Sequence, residues 1–347
     1  MEIALFTYFA ADNYGATLQA YATIKALKQL GHDVTLVNYV IPEPPRSALK
    51  NLILYPKHLK FERFRKKYFD SLTKSYLTFE SLRQDPPVAD VYMTGSDQTW
   101  NPDISKQLAM GYFLDFGDTS IRRVTYAASI GLTQWHDTEW AKGEDVKKAL
   151  QRFDKILIRE KSGQELLKNE FGIDSTVVLD PVLLFSDYSE LAGKVDETNE
   201  LLTYKLINDA DYYQVSADVA HRLGVTPRIL GSIRRVKGFR SSYPESIEKW
   251  ISRIAGCKYM ITDSFHGTVL SLIYHRQFAS CVGDQRRFTR IESLLQMLDL
   301  EERIVKVSDG SEGIAKVLNT PIDYDRIDRQ LKTLRSDSLQ ELAEELM

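Results

Sequence analysis

The sequence predicts an α/β protein of two Rossmann-like lobes facing a cleft. Three observations predict it. The chain opens on a strand–helix–strand unit, it continues with strands that each run into a polar, turn-forming end, and after residue 193 a second alternating block begins. At 347 residues, 43% of them hydrophobic, the chain is long enough for two cores of ordinary size.

The first strand is "IALFTYF", and "GATLQAYATIKALKQLGH" follows as a helix ending at Gly31, a residue suited to close a helix. "DVTLVNYV" supplies the second strand. Such a unit favours a parallel sheet with a right-handed crossover. Only Gly15 precedes the helix, so the GxGxxG dinucleotide fingerprint is absent. "IPEPPRS" then breaks the pattern, and a basic helical insertion is expected over about 46–80. "DVYMTGSDQTWNP", "RRVTYAASIG", "FDKILIREKSG" and "STVVLDPVLL" repeat the strand with a polar terminus, the pattern of a functional sheet edge. The second block reads "LLTYKLI" strand, "DYYQVSADVAHRLG" helix, "TPRILGSI" strand, "SIEKWISRIAGC" helix, "KYMIT" strand, "GTVLSLIYH" helix and "QFASCVG" strand. The expected divisions are 1–193 for the first lobe, 194–322 for the second and 323–347 for a charged C-terminal helix.

A net charge of −3 gives no global reason to expect nucleic-acid binding. Cys257 and Cys281 form no metal or CxxC pattern and read as buried free thiols, a disulfide between them being the alternative. The start "MEIALFTYF" lacks a basic segment before an apolar core, and no stretch approaches the roughly 18 apolar residues of a spanning helix. A cytoplasmic protein is expected. The one local charge feature is Lys50 to Tyr76, with eight Lys/Arg against two acids and Phe61, Phe64 and Tyr68 at helical spacing. It reads either as a solvated helix with one packed face or as a peripheral surface for anionic lipid at the inner face of a membrane.

"TDSFHGT", Thr262 to Thr268, places an acid, hydroxyls, a histidine and a glycine between a strand and a helix. Helix N-termini at the carboxyl ends of parallel strands present N–H groups to anions. With "DNYGATLQAYA", "GSDQTWNP", "YAASIG", "IREKSG" and "LDPVLL" occurring in order before "TDSFHGTVLSLIYHRQF", the chain resembles the polysaccharide pyruvyl transferase family over about Tyr8 to Phe278. The resemblance implies a two-lobed fold like that of B-type glycosyltransferases. It also implies an enzyme that moves the enolpyruvyl skeleton of phosphoenolpyruvate onto a saccharide, whether free, nucleotide-linked or lipid-linked, as a cyclic ketal. That chemistry demands no metal, and no cofactor is expected. Some relatives carry an arginine shortly before the histidine; here Ser264 and Phe265 stand there.

Ketal formation needs a general acid, cationic anchors for carboxylate and phosphate, and a base for the sugar hydroxyls. His266 is the expected acid, with a helix cap or a partner of core polar groups the competing reading: a helix N-terminus favours neutral imidazole, and a bound phosphate reverses that. Ser264 and Thr268 read as phosphate donors or as caps, and Gly267 as close backbone approach or packing. Arg159 emerges at a strand end and reads as a donor anchor or as the partner of Glu160, with Arg290 and Arg276 as lesser candidates. Asp97 reads as hydroxyl base or turn former, and Gln98, Trp100, Asn13 and Gln19 as the acceptor side, with core packing the competing reading for Trp100. Asp180, before a proline, reads as a structural turn. Two rival functions share these features: a nucleotide-sugar glycosyltransferase of the same fold, and a non-catalytic saccharide-binding protein.

Overall fold

The computed structural model describes residues 1–40, 47–206, 209–232, 236–282 and 285–347. All of "IPEPPRS" but Ser47 lies outside them. The chain forms two compact units: unit 1 comprises Met1–Ala48, Arg65–Phe185 and Lys332–Met347, and unit 2 comprises Leu49–Phe64 and Ser186–Leu331. The sequence boundary thus falls at Phe185/Ser186, against the expected 193.

Unit 1 is built on a parallel sheet of strands β1 (Glu2–Phe6), β2 (Asp33–Tyr39), β3 (Leu72–Tyr76), β4 (Val91–Thr94) and β5 (Arg122–Thr125), in the order β3-β2-β1-β4-β5. Two short strands, β6 (Leu157–Ile158) and β7 (Thr176–Val177), pair parallel with each other, and single bridges from Val124 to Lys155 and Ala128 to Ile158 tie them to the β5 side. β1 is buried from Ile3 to Phe6, as a parallel strand covered on both faces must be. Helix α1 (Tyr14–Gln29) is buried at every residue from Tyr14 to Ile24, because Ala16, Ala20, Ala22 and Ala26 let it sit close between neighbours. Gly31, at φ +85°, follows its end as expected. Phe6, Tyr39, Tyr92, Trp100 and Phe113 anchor the core on one side of the sheet.

The basic stretch differs from its expectation. Helix α2 (Ala48–Tyr68) accounts for most of it, but its tail is β3, an edge strand of the unit 1 sheet. Lys74, exposed in "LTKSY", is the kind of charge that keeps an edge strand from inviting another.

Unit 2 carries β8 (Glu200–Tyr204), β9 (Thr226–Leu230), β10 (Arg240–Ser242), β11 (Tyr259–Thr262), β12 (Gln277–Cys281) and β13 (Ile304–Val305), all parallel, in the order β10-β9-β8-β11-β12-β13. That is the 3-2-1-4-5-6 order of doubly wound sheets. β10 and β13 were not legible as strands; at three and two residues they carry no periodicity. In both units the strand order reverses beside the first strand, at β1/β4 and at β8/β11. These are the switch points where doubly wound sheets take ligands.

The C-terminal helix (Tyr324–Leu346) enters unit 1 at Lys332. Ser338 accepts the Leu179 N–H at 3.0 Å, Arg335 donates to the Leu183 carbonyl, and the Glu345 carboxyl accepts the Thr125 N–H at 3.0 Å.

Candidate functional site

At the unit 1 switch point, five of the six quoted sequence segments hold one another. Thr7 at the end of β1 donates to the Ser96 carbonyl at 2.8 Å, and the buried Gln19 amide donates to Thr7 Oγ1, to the Tyr8 carbonyl and to the Ala16 carbonyl. Asn13 caps α1, its Oδ1 accepting from Gly15 and Ala16. Arg159, just past β6, donates through Nη1 to Asp180 Oδ2 at 2.8 Å and to Ser96 Oγ at 3.2 Å. Its other nitrogens lie 3.8 Å from Asp97 and from Glu160. Burial works against this guanidinium, but Asp180, Asp97 and Glu160 outweigh it and raise its pKa, so it stays charged.

Glu160, expected only as a surface partner of Arg159, has a larger part in the fold. It is fully buried, and its Oε1 accepts from Ser129 Oγ and from the N–H groups of Ile130 and Gly131 at 2.9–3.0 Å. "YAASIG" is therefore a three-donor cradle for an internal carboxylate. Gly131 has a second reason to lack a side chain: a Cβ there would lie 1.8 Å from Gln98 Nε2. Asp97, at the end of β4, is held at φ +74°, a conformation that Asp tolerates better than most side chains. Its carbonyl accepts from Ser129 and Thr99, and its side chain keeps 18% exposure. Beside it, Tyr8 is held protonated, first by burial and then by Tyr112 and Asp97.

Trp100 is a correction. It is completely buried, stacks on Phe113 at 5.3 Å and donates its indole N–H to the Tyr112 carbonyl, so it offers no face to a sugar. Gln19 is likewise buried and donates only within the fold. Asp180 combines the expected turn, accepting the Val182 N–H at 2.9 Å, with its role as partner of Arg159.

At the unit 2 switch point, β8 ends into Lys205 and β11 ends into Asp263. These two form a buried ion pair at 3.1 Å, with Lys205 Nζ 4.2 Å from the Tyr212 ring centroid. Asp263 also accepts the Leu206 N–H. Ser264 caps the helix Phe265–Ile273, accepting from Gly267 N at 3.4 Å, and His266 lies in its first turn, 6% exposed. Gly267 is required by packing: a Cβ would come 2.7 Å from Thr262 Oγ1. Thr268 is buried against Ser280 at 2.8 Å, which assigns its hydroxyl to the fold. Phe265 meets the His266 ring edge-on at 5.3 Å and lies under the Arg290 guanidinium at 6.0 Å. Arg290 thus stands beside the histidine turn although far from it in sequence. Arg276 does not: it precedes β12, at the opposite edge of the sheet, and pairs with Glu197. Lys205 was missed, although a charge straight after "LLTY" was the available signal.

Among the described residues no group of three or more His, Cys, Asp or Glu is placed to hold a metal, and no helix is long and apolar enough to cross a membrane. Cys257 and Cys281 are buried free thiols, both pushed up to about 12 chiefly by burial.

Two parallel sheets with these switch points define the fold shared by sugar-nucleotide epimerases and glycosyltransferases. The chain is similar in structure to the UDP-GlcNAc 2-epimerase of Neisseria meningitidis bound to UDP-GlcNAc, at TM-score 0.55 and 10% identity, covering 100% of this chain and 99% of that one. It is similar to a Polygonum tinctorium UDP-glucosyltransferase capable of glucosylating indoxyl, at 0.54 and 10%, covering 99% and 98%. A glycosyltransferase of avilamycin A biosynthesis matches at 0.54 and 11%, covering 99% and 96%. No curated protein matches the sequence. The polysaccharide pyruvyl transferase family model matches residues 13–285, and the chain belongs to that family of transferases.

Proposed function

We propose that the protein transfers the enolpyruvyl skeleton of phosphoenolpyruvate to two hydroxyls of one saccharide, in the making of a cell-surface or capsular polysaccharide. The methylene carbon takes a proton, one hydroxyl oxygen bonds to the adjacent carbon, and the second hydroxyl closes the ketal as the C–O bond to phosphate breaks. The two hydroxyl protons leave with phosphate and solvent. The observation that carries this reading is His266 in the first turn of a helix at the β8/β11 switch point, with Arg290 brought beside it through Phe265.

In this reading His266 is the acid, the positive end of the helix that Ser264 caps attracts the donor's phosphate, and Arg290 takes the place of the arginine missing before the histidine. Asp97 is assigned to the acceptor hydroxyl, with Gln98 and Asn13 on the same side. Arg159 changes role. Three carboxylates surround its one positive charge, an environment that disfavours a second anion, so we assign it to holding Asp97 and Asp180 in place. The test is phosphate release from phosphoenolpyruvate in the presence of saccharide acceptors. Release that depends on the acceptor supports the reading; release without one, or none across an acceptor panel, counts against it. Sugar nucleotides occur in the names of the structural neighbours, so a thermal shift with UDP-sugars is the counter-experiment: stabilisation by these and not by phosphoenolpyruvate favours glycosyl transfer.

A further inference from the structure

We propose that the outward face of α2 is a docking surface for a lipid bilayer that carries anionic headgroups. This inference uses none of the donor chemistry above, and either can fail without the other.

The helix has two faces. Phe61, Phe64 and Arg65 are buried, with Leu54, Lys57 and Tyr68 half-buried beside them. Arg65 donates to the Ala10 carbonyl and to Asp12, so this cation belongs to the fold and not to the basic surface expected from the sequence. The opposite face runs Leu52, Tyr55, Leu59, Arg63 and Lys66 at helical spacing. Leu52 is 70% exposed, Tyr55 56% and Leu59 36%, with Ile53 at 44% on the flank. Single exposed apolar residues are ordinary; four within eight residues along one helix are a patch. Arg63, Lys66 and Lys67, all exposed, continue it, and the half-buried Glu62 is the acid among them.

An apolar half with a tyrosine, continued by cations, matches the boundary between acyl chains and anionic headgroups. A second copy of the same helix fits worse. Antiparallel pairing sets Leu52 and Tyr55 against the cations, and parallel pairing sets cation against cation. The stripe is too short and too charged to insert, so contact is peripheral and salt-sensitive.

The experiment is co-sedimentation of the full chain with phosphatidylcholine vesicles, with and without phosphatidylglycerol. Binding only to the anionic vesicles is expected, fading between about 0.1 and 1 M salt as the Debye length falls from about 10 to 3 Å. Leu52→Ser/Tyr55→Ser/Leu59→Ser and Arg63→Glu/Lys66→Glu/Lys67→Glu should each lower binding about ten-fold or more while the melting temperature holds. Failure to bind at low salt overturns the proposal, as does binding that both triple variants retain. Self-association of the parent that the serine variant abolishes also overturns it, and makes the face a protein contact.

Discussion

Unit 1 and unit 2 share strand order and switch point, yet they furnish the two points with a different balance of charge. At β1/β4, one guanidinium meets Asp180, Asp97 and Glu160. At β8/β11, one lysine meets one aspartate, and the neighbouring feature is a helix N-terminus bearing a histidine. A surplus of carboxylates suits hydroxyl groups, which donate to them. The positive end of a helix beside balanced charge suits an anion. In the proposed reading, one sheet topology sets where each ligand goes, and the residues after each strand set its chemistry.

The sharpest break of that comparison is His266→Ala. It should lower transfer by about 10²–10⁴-fold, the span of a lost general acid, with the melting temperature unchanged. Near-normal turnover would move the chemistry away from unit 2. His266→Gln should still bind phosphoenolpyruvate and remain slow.

Arg159→Met should act on stability instead. Removing one partner of a buried ion pair costs about 3–5 kcal/mol, and here three carboxylates lose their cation. Lys205→Met strands only Asp263, so we expect about 3 kcal/mol, the low end of that span. Equal losses in denaturant titrations would dissolve the distinction between the two edges.

The last contrast concerns pH. Burial raises the Glu345 carboxyl in unit 1 to about 9, against the Thr125 N–H, Lys155 and Arg122, with Asp154 adding to the rise. Folded unit 1 then holds a proton that the unfolded chain releases near 4.5, so this contribution is full below 4.5 and lost as pH climbs to about 9. In unit 2, burial pushes Glu200 up, but Arg228, with Arg253 and Arg240 behind it, holds it below the ordinary range. Its contribution is present above the unfolded value and lost as pH falls through the folded one. Glu345→Gln should flatten the alkaline loss of stability and leave the acid limb alone. Denaturant midpoints at pH 5, 7 and 9 check it, and parallel profiles for parent and variant would refute it.

Long periodic segments were legible in the sequence: α1, the helix Ala210–Arg222 and the strand–helix junction at Ser264 all stand where their residues place them. Three-residue β10 offered no pattern, and the strand β3 hid inside a basic run that reads as helix. Sequence also located the polar strand ends, but not who meets whom there. "IREKSG" names both Arg159 and Glu160 without revealing that one answers "LDPVLL" and the other "YAASIG". Those pairings span 21 and 31 residues and exist only once the sheet has formed. Trp100 misled because an aromatic after a polar turn looks alike whether it faces sugar or core.

The Arg122 side chain donates to the Glu345 carbonyl across 223 residues, and the carboxyl of the same Glu345 closes on β5. A ribosome adding about 5–20 residues per second needs about 11–45 s to make that span. The β5 edge of unit 1 therefore waits, with its closing helix unmade, while the whole of Ser186–Leu331 is synthesised. That interval exposes the nascent edge to chaperones or to a neighbouring chain.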